Sequence, residues 1–95
     1  MKIRLSRQVA DFVRALFLEP RRKMRLALKA LARGQGDVRS LEGPLLSYCR
    51  LKVSNYRVIL FYRSPSEIEC VLAEIRSIVY EIFAETLREK LIREP

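Results

Sequence analysis

Histidine is absent from the 95 residues, and cysteine occurs twice, as Cys49 and Cys70. Without an imidazole the chain lacks the commonest general base near neutral pH. With no His and no second Cys pair, the ligand spacings of a zinc site are missing too, and no metal is expected. Each Cys stands in an apolar, strand-like run, where a free thiol behaves as a small hydrophobe. Two free thiols fit a cytoplasmic protein, with a Cys49–Cys70 disulfide as the alternative. Long apolar runs are also missing, since none approaches the roughly 18–20 residues of a spanning helix. Arg4, Arg7 and Asp11 interrupt the stretch that a signal peptide would keep apolar, so a cytoplasmic location is expected. There is no internal repeat, low-complexity tract or linker, and the length suits one compact domain over 1–95.

Acidic residues are scarce in one half only. Residues 1–40 carry eleven Lys/Arg against three Asp/Glu, whereas residues 41–95 carry eight of each. The whole net charge of +8 therefore belongs to the first 40 residues. Such asymmetry points to an anionic partner, either nucleic acid or an acidic protein, with a membrane surface disfavoured by the lack of apolar runs. The alternative is a solvated basic face with no ligand.

The hydrophobic period divides the chain. Lys2 to Leu5 alternates as a short strand. Ser6 suits the N-cap of a helix from Arg7 to Phe17, with Val9, Phe12/Val13 and Leu16/Phe17 on one stripe. Glu19-Pro20 is expected to break it, and Pro20 to open a second helix running to Arg33, ended by Gly34 and Gly36. Met24, Ala27/Leu28 and Leu31 form its apolar stripe. Arg21, Arg22, Lys23, Arg25 and Lys29 lie elsewhere on its turns, giving a helical hairpin with a basic outer surface. After Gly43-Pro44 the period changes to two. Ser47–Val53, Tyr56–Arg63 and Ile68–Ile75 read as strands separated by Ser54-Asn55 and Ser64-Pro65-Ser66. From Ser77 a last helix is expected, with Ile78/Val79, Ile82/Phe83, Leu87 and Leu91 on its apolar side and Glu81, Glu85, Arg88 and Glu89 on the other. The order predicts an α+β fold, with an N-terminal strand and helical hairpin, an antiparallel sheet covered on one side by helices, and a C-terminal helix.

If Ser54-Asn55 is a two-residue hairpin loop, Val53 opposes Tyr56, Lys52 opposes Arg57, Leu51 opposes Val58 and Arg50 opposes Ile59. One face then carries Cys49, Leu51, Val53, Tyr56, Val58 and Leu60, continuously apolar. The other carries Arg50, Lys52, Arg57 and Ile59. A slip of one residue would mix Val58 and Leu60 with the cations, which favours this register. Like charges opposed across strands cost tenths of a kcal/mol up to about 1 kcal/mol. A bound phosphate would relieve that repulsion, because guanidinium forks match its oxygens. The other reading is a set of long side chains splayed into water.

The run LEGPLLSYCRLKVSNYRVILFYR (Leu41–Arg63), followed after one more strand by Arg76-Ser-Ile-Val-Tyr80, resembles the RelE/ParE toxin superfamily of bacterial and archaeal toxin–antitoxin systems. The order of elements agrees over nearly the whole chain. The resemblance implies a ribosome-dependent mRNA interferase, an endoribonuclease in which a ribose 2′-OH attacks the adjacent phosphate. The products are a 2′,3′-cyclic phosphate and a 5′-OH, made without a metal or other cofactor. By position, the resemblance makes Arg50, Lys52 and Arg57 the basic sheet residues, with Arg57 stabilising the phosphorane and Lys52 as the base. Arg76 and Tyr80 match the C-terminal pair. Tyr80 would stack on a base or take part in proton transfer, unless it is a core residue of the last helix. Where several active relatives place a second basic residue or a His, this sequence has Glu74 and Ile75; Glu74 reads as a base or as a neutraliser of Arg76.

The resemblance also implies a cognate antitoxin, an acidic or amphipathic segment lying across the basic hairpin or the sheet face, or displacing the last helix. Arg21, Arg22, Lys23, Arg25 and Lys29 would grip ribosomal RNA. Two other functions remain open: a non-cleaving member of the same fold, such as a ParE-like inhibitor of DNA gyrase or an inactivated relative, and a basic binding module outside such systems.

Overall fold

The computed structural model describes residues 1–42 and 47–93, the last four of them as backbone only. The expected boundary at Gly43-Pro44 and the side chain of Leu91 lie outside the described residues. The elements are β1 (Lys2–Leu5), α1 (Arg7–Ala15), α2 (Leu18–Ala32), β2 (Asp37–Ser40), β3 (Cys49–Val53), β4 (Tyr56–Ser64), β5 (Glu67–Ile75) and α3 (Val79–Arg93). The five strands form one sheet in the order β1-β5-β4-β3-β2, with β1 parallel to β5 and every other pair antiparallel.

Ser6 caps α1 as expected, its hydroxyl accepting from the Val9 N–H at 3.2 Å. The break between the two helices falls earlier than Glu19-Pro20. Leu16 turns to extended backbone, and α2 begins at Leu18 with Pro20 in its first turn. A proline is tolerated there because first-turn N–H groups have no intrahelical acceptor to lose. The shift removes Phe17 from the buried stripe and leaves it 87% exposed. At the far end of α2, Gly34 takes φ +74° while its N–H bonds to Leu31 O and that of Gln35 bonds to Ala30 O. This paired closure satisfies the last carbonyls and needs a left-handed residue.

Strand β2 was not expected from the sequence. Its four residues DVRS hold one apolar side chain, so their strand character comes from pairing with β3 rather than from a period. Gly36 admits it, because a Cβ there would stand 3.1 Å from Leu51 Cδ1 at a φ of +119°.

The hairpin register is the one the alternation predicted: Val53 with Tyr56, Lys52 with Arg57, Leu51 with Val58 and Arg50 with Ile59. Leu51, Val53, Val58 and Leu60 pack beneath Val9, Val13, Met24, Leu28 and Leu31 of the hairpin helices. The last helix departs from expectation. Instead of sharing that side, α3 covers the opposite face, where Val79 and Phe83 pack on Ile59 and Leu72 with Tyr48 at the margin. A register shift between Ile59 and Leu60 makes this second core possible, since Ile59 pairs with Leu72 but Leu60 with Cys70. Helices therefore cover both faces, α1 and α2 on one and α3 on the other.

Where β1 stops, the outer edge of β5 is closed by side chains. The Ser6 hydroxyl donates to Val71 O at 3.0 Å, and the Gln8 amide both donates to Ala73 O and accepts from Ala73 N–H, at 2.7 and 2.8 Å. Gln8 thereby replaces the missing strand residue.

Candidate nucleic-acid interface

Extending the pairing across the sheet produces one transverse row. Asp37 on β2 pairs with Lys52 on β3, Lys52 with Arg57 on β4, and Arg57 with Glu74 on β5. The next row runs Arg39, Arg50, Ile59, Leu72, whose apolar half lies under α3. Arg50, Lys52 and Arg57 thus share one face, at the end of the sheet where β5 turns into α3. The opposed cations are flanked by two carboxylates, so the row balances its own charge. The expectation was that a bound anion would relieve the Lys52–Arg57 repulsion; Asp37, on a strand the sequence did not reveal, supplies an internal carboxylate beside Lys52 in the row.

The three cations differ in freedom. Arg50 is largely covered, and its Nη1 donates to Asp37 O at 2.9 Å and to Asp37 Oδ1 at 3.3 Å. Arg57 is 7% exposed, and its Nη1 caps the hairpin turn by donating to Tyr56 O at 2.8 Å and Ser54 O at 3.1 Å. Among the described residues, the buried side-chain polar atom without a hydrogen bond is Glu67 Oε1, which lies in an ion pair with Arg4. Lys52 is exposed and forms no ion pair among the described residues. The recesses found among the described residues are not lined by Arg50, Lys52 or Arg57.

Arg76 and Tyr80 stand at the start of α3. The Arg76 N–H donates to Asn55 O at 2.8 Å, tying this turn to the hairpin tip beside Lys52 and Arg57. Both residues are exposed, Tyr80 by 40%, so Tyr80 is not the core residue of the alternative reading. Ile75 and Ile78 beside them are also partly exposed. Glu74 forms no ion pair with Arg76 among the described residues; its Oε1 instead lies 3.5 Å from the Gln8 amide nitrogen.

The five cations of α2 do not act as one set. Arg21, Arg22, Arg25 and Lys29 line a shallow groove of about 320 Å³ together with Leu18 and Leu26. Lys23 faces the other way, into a recess of about 250 Å³ shared with the hairpin tip, Ser54 and Asn55. Leu18 and Leu26 are 58% and 59% exposed, two turns apart on the cationic face with Phe17 at its head. This apolar stripe was missed because the periodicity placed Phe17 in the buried stripe of the first helix and left Leu18 and Leu26 unassigned.

Both thiols are free, so the disulfide alternative is set aside. Cys49 and Cys70 pair with the same Leu60 from opposite sides, two strands apart. Burial pushes the Cys70 thiol up to about 12 from 9.0. Among the described residues, no helix is long and apolar enough to cross a membrane.

No family model and no curated protein matches the sequence. Solved structures do match its shape. The RelB–RelE antitoxin–toxin complex of Methanococcus jannaschii superposes with a TM-score of 0.65 at 15% identity, covering 84% of this chain and 98% of that one. The YoeB/ParE toxin of Agrobacterium tumefaciens gives 0.57 at 18% identity over 80% and 99% of the two chains. A copper-bound mutant toxin of Helicobacter pylori gives 0.60 at 9% identity over 81% and 96%. The chain has the RelE-like α+β fold.

Proposed function

We propose that this chain is the toxin of a type II toxin–antitoxin pair and acts as a ribosome-dependent mRNA endoribonuclease. The observation that carries the reading is the face on which Arg50, Lys52 and Arg57 meet the Arg76–Tyr80 turn, on a fold shared with RelE-type toxins. Cleavage requires the ribose 2′-oxygen to attack phosphorus as the bond from phosphorus to the 5′-oxygen breaks. One proton leaves the 2′-OH and another reaches the departing oxygen. Lys52, exposed on the face, takes the first role when its side chain is the neutral amine, and Glu74 across the row is the carboxylate alternative. Arg57, its Nη1 held on the hairpin carbonyls, is the cation assigned to the phosphorane, a preorganised charge of the kind that stabilises developing charge. Arg50 and Arg76 hold flanking phosphates. Tyr80, half in solvent, stacks on a base. A face outside these recesses suits a substrate delivered by the ribosome, which supplies the missing walls.

The antitoxin reading rests on a different surface. Leu18, Leu26 and Phe17 among Arg21, Arg22, Arg25 and Lys29 match an acidic helix with aliphatic side chains at a two-turn spacing. The same cations approach ribosomal RNA once that helix leaves.

A second reading, a non-cleaving relative such as a gyrase inhibitor, is favoured by one observation: Arg57 is buried and its Nη1 is committed to its own turn. Inducing the protein and mapping messenger 5′ ends separates the two. Codon-phased ends that vanish with Lys52→Ala support the ribonuclease. Intact messages with DNA-damage signalling support the second reading.

A further inference from the structure

The row that places cations on the sheet face also places an acid among them. The Asp37 carboxylate accepts from Arg50 Nη1 at 3.3 Å, and its Oδ1 lies 3.9 Å from Arg39 Nε. Asp37 is also the cross-strand partner of Lys52. It belongs to the edge strand β2, whose pairing with β3 beyond the Gly36 turn places its carboxylate beside Arg50 and Arg39. Exposure separates their states. The Arg50 side chain is 15% exposed, that of Arg39 76%. Arg50 is thus drawn down onto Asp37, while Arg39 reaches outward from the same face.

We propose that Asp37 stands in for a substrate phosphate: its carboxylate occupies the fork of Arg50 and lowers the affinity of the face for polyanions. The inference rests on the reading that this face binds phosphodiesters. Arg50 meets Asp37 through two acceptors, and only one is the carboxylate. The backbone carbonyl, at 2.9 Å, remains whatever residue stands at 37. Removing the negative charge therefore keeps Arg50 near its place while freeing its fork for a phosphate. The gain follows from Coulomb's law. The Arg50 guanidinium, no longer offset by the carboxylate, then acts on a phosphate about 7 Å away as one further unit charge, which at an effective dielectric of about 40–80 changes affinity about three- to tenfold. An extra cation released to the strand also steepens the salt dependence, by about 0.7 in the slope of log K against log salt for a single strand.

Such a device has a use. An open cationic face with no internal acid would collect any RNA in the cell, whereas one held partly neutral binds only where a further surface adds affinity. Discrimination of this kind works by weakening the wrong complex.

The test uses the full chain and a short messenger-like RNA carrying 2′-O-methyl groups throughout, which binds but cannot be cut. Affinity is measured over a range of salt for the wild type, Asp37→Asn, Arg50→Ala, the double variant and Lys52→Ala, each checked for native circular dichroism. Asp37→Asn is expected to bind about three- to tenfold more tightly with a steeper salt slope. Most of that gain should vanish in the Arg50→Ala background, and Asp37→Ala provides a second variant that keeps the backbone acceptor. If the wild type binds and Lys52→Ala weakens it while Asp37→Asn changes neither affinity nor slope, the proposal fails and the phosphodiester face stands. A gain that survives intact without Arg50 also overturns it, since Asp37 would then act as a remote charge only. If neither the wild type nor Asp37→Asn binds, both the face and the proposal fall.

Discussion

Lys52 and Arg57 face each other across the β3–β4 hairpin, yet only Lys52 is free in solvent; Arg57 is folded back onto the carbonyls of Ser54 and Tyr56. The same charge on the same face thus does two jobs. This difference makes the two positions separable by mutation.

Lys52→Gln should leave the fold intact. The exposed ammonium makes no ion pair among the described residues, and the repulsion it loses from Arg57 offsets the attraction it loses from Asp37. Stability should move by less than about 0.5 kcal/mol, as for other exposed sites. Growth arrest on induction should nonetheless be abolished. Urea unfolding alongside a plating assay checks both halves.

Arg57→Ala should fail on both counts. Its Nη1 supplies two hydrogen bonds that hold the turn in which Ser54 carries a φ of +52°. Losing hydrogen bonds from a charged donor costs about 1.5–3 kcal/mol. Loss of toxicity in this variant is therefore ambiguous by itself. Arg57→Lys, which keeps the charge but not the fork, should retain part of the stability and little of the activity. Paired denaturation and toxicity measurements distinguish the effects.

On the other side of the molecule, reversing charge at Arg21 and Arg25 should slow association with an acidic antitoxin helix about tenfold or more at low salt. Leu26→Ala should instead speed dissociation and leave the salt dependence alone. Stopped-flow association in 50 and 500 mM salt resolves the two, because exposed charges are screened over about 10 Å at 0.1 M and apolar contacts are not.

The Cys70 thiol gives a pH signature. In the folded chain it is held to about 12, above the 9.0 of an ordinary thiol. Between those values the unfolded chain has lost a proton that the folded chain keeps. Stability is therefore unaffected below about pH 9 and declines as pH rises toward 12. Urea midpoints at about pH 8 and 10.5 should drop further for the wild type than for Cys70→Ala. Alkylation at pH 8 should label Cys49 in the native protein and Cys70 only on unfolding.

Legibility in the sequence followed the strength of the local pattern. The hairpin register could be read to the residue, because a slip of one would mix Val58 and Leu60 with the cations. The helix stripes were legible for the same reason. Three features were not. Strand β2 has no period of its own, so Asp37 and its hold on Arg50 could not be foreseen. The side of the sheet covered by α3 carries Ile59 together with Leu72, which the irregularity between Ile59 and Leu60 brings beside it and which alternation along β5 alone does not show. The exposure of Phe17 depends on where the chain turns, and Pro20 suggested a later turn than the one adopted. Within the site, residue types and face were legible; the pairing state of Arg50 and Arg57 was not, because it depends on acceptors in the turn and the edge strand.

The most direct test of the account is an NMR titration of the uniformly labelled protein with the uncleavable 2′-O-methyl RNA. The account predicts shifts at Arg50, Lys52, Arg57, Arg76 and Tyr80 that saturate together and disappear with Lys52→Gln. Shifts confined to Arg21, Arg22, Arg25 and Lys29, with the sheet face silent, would contradict it.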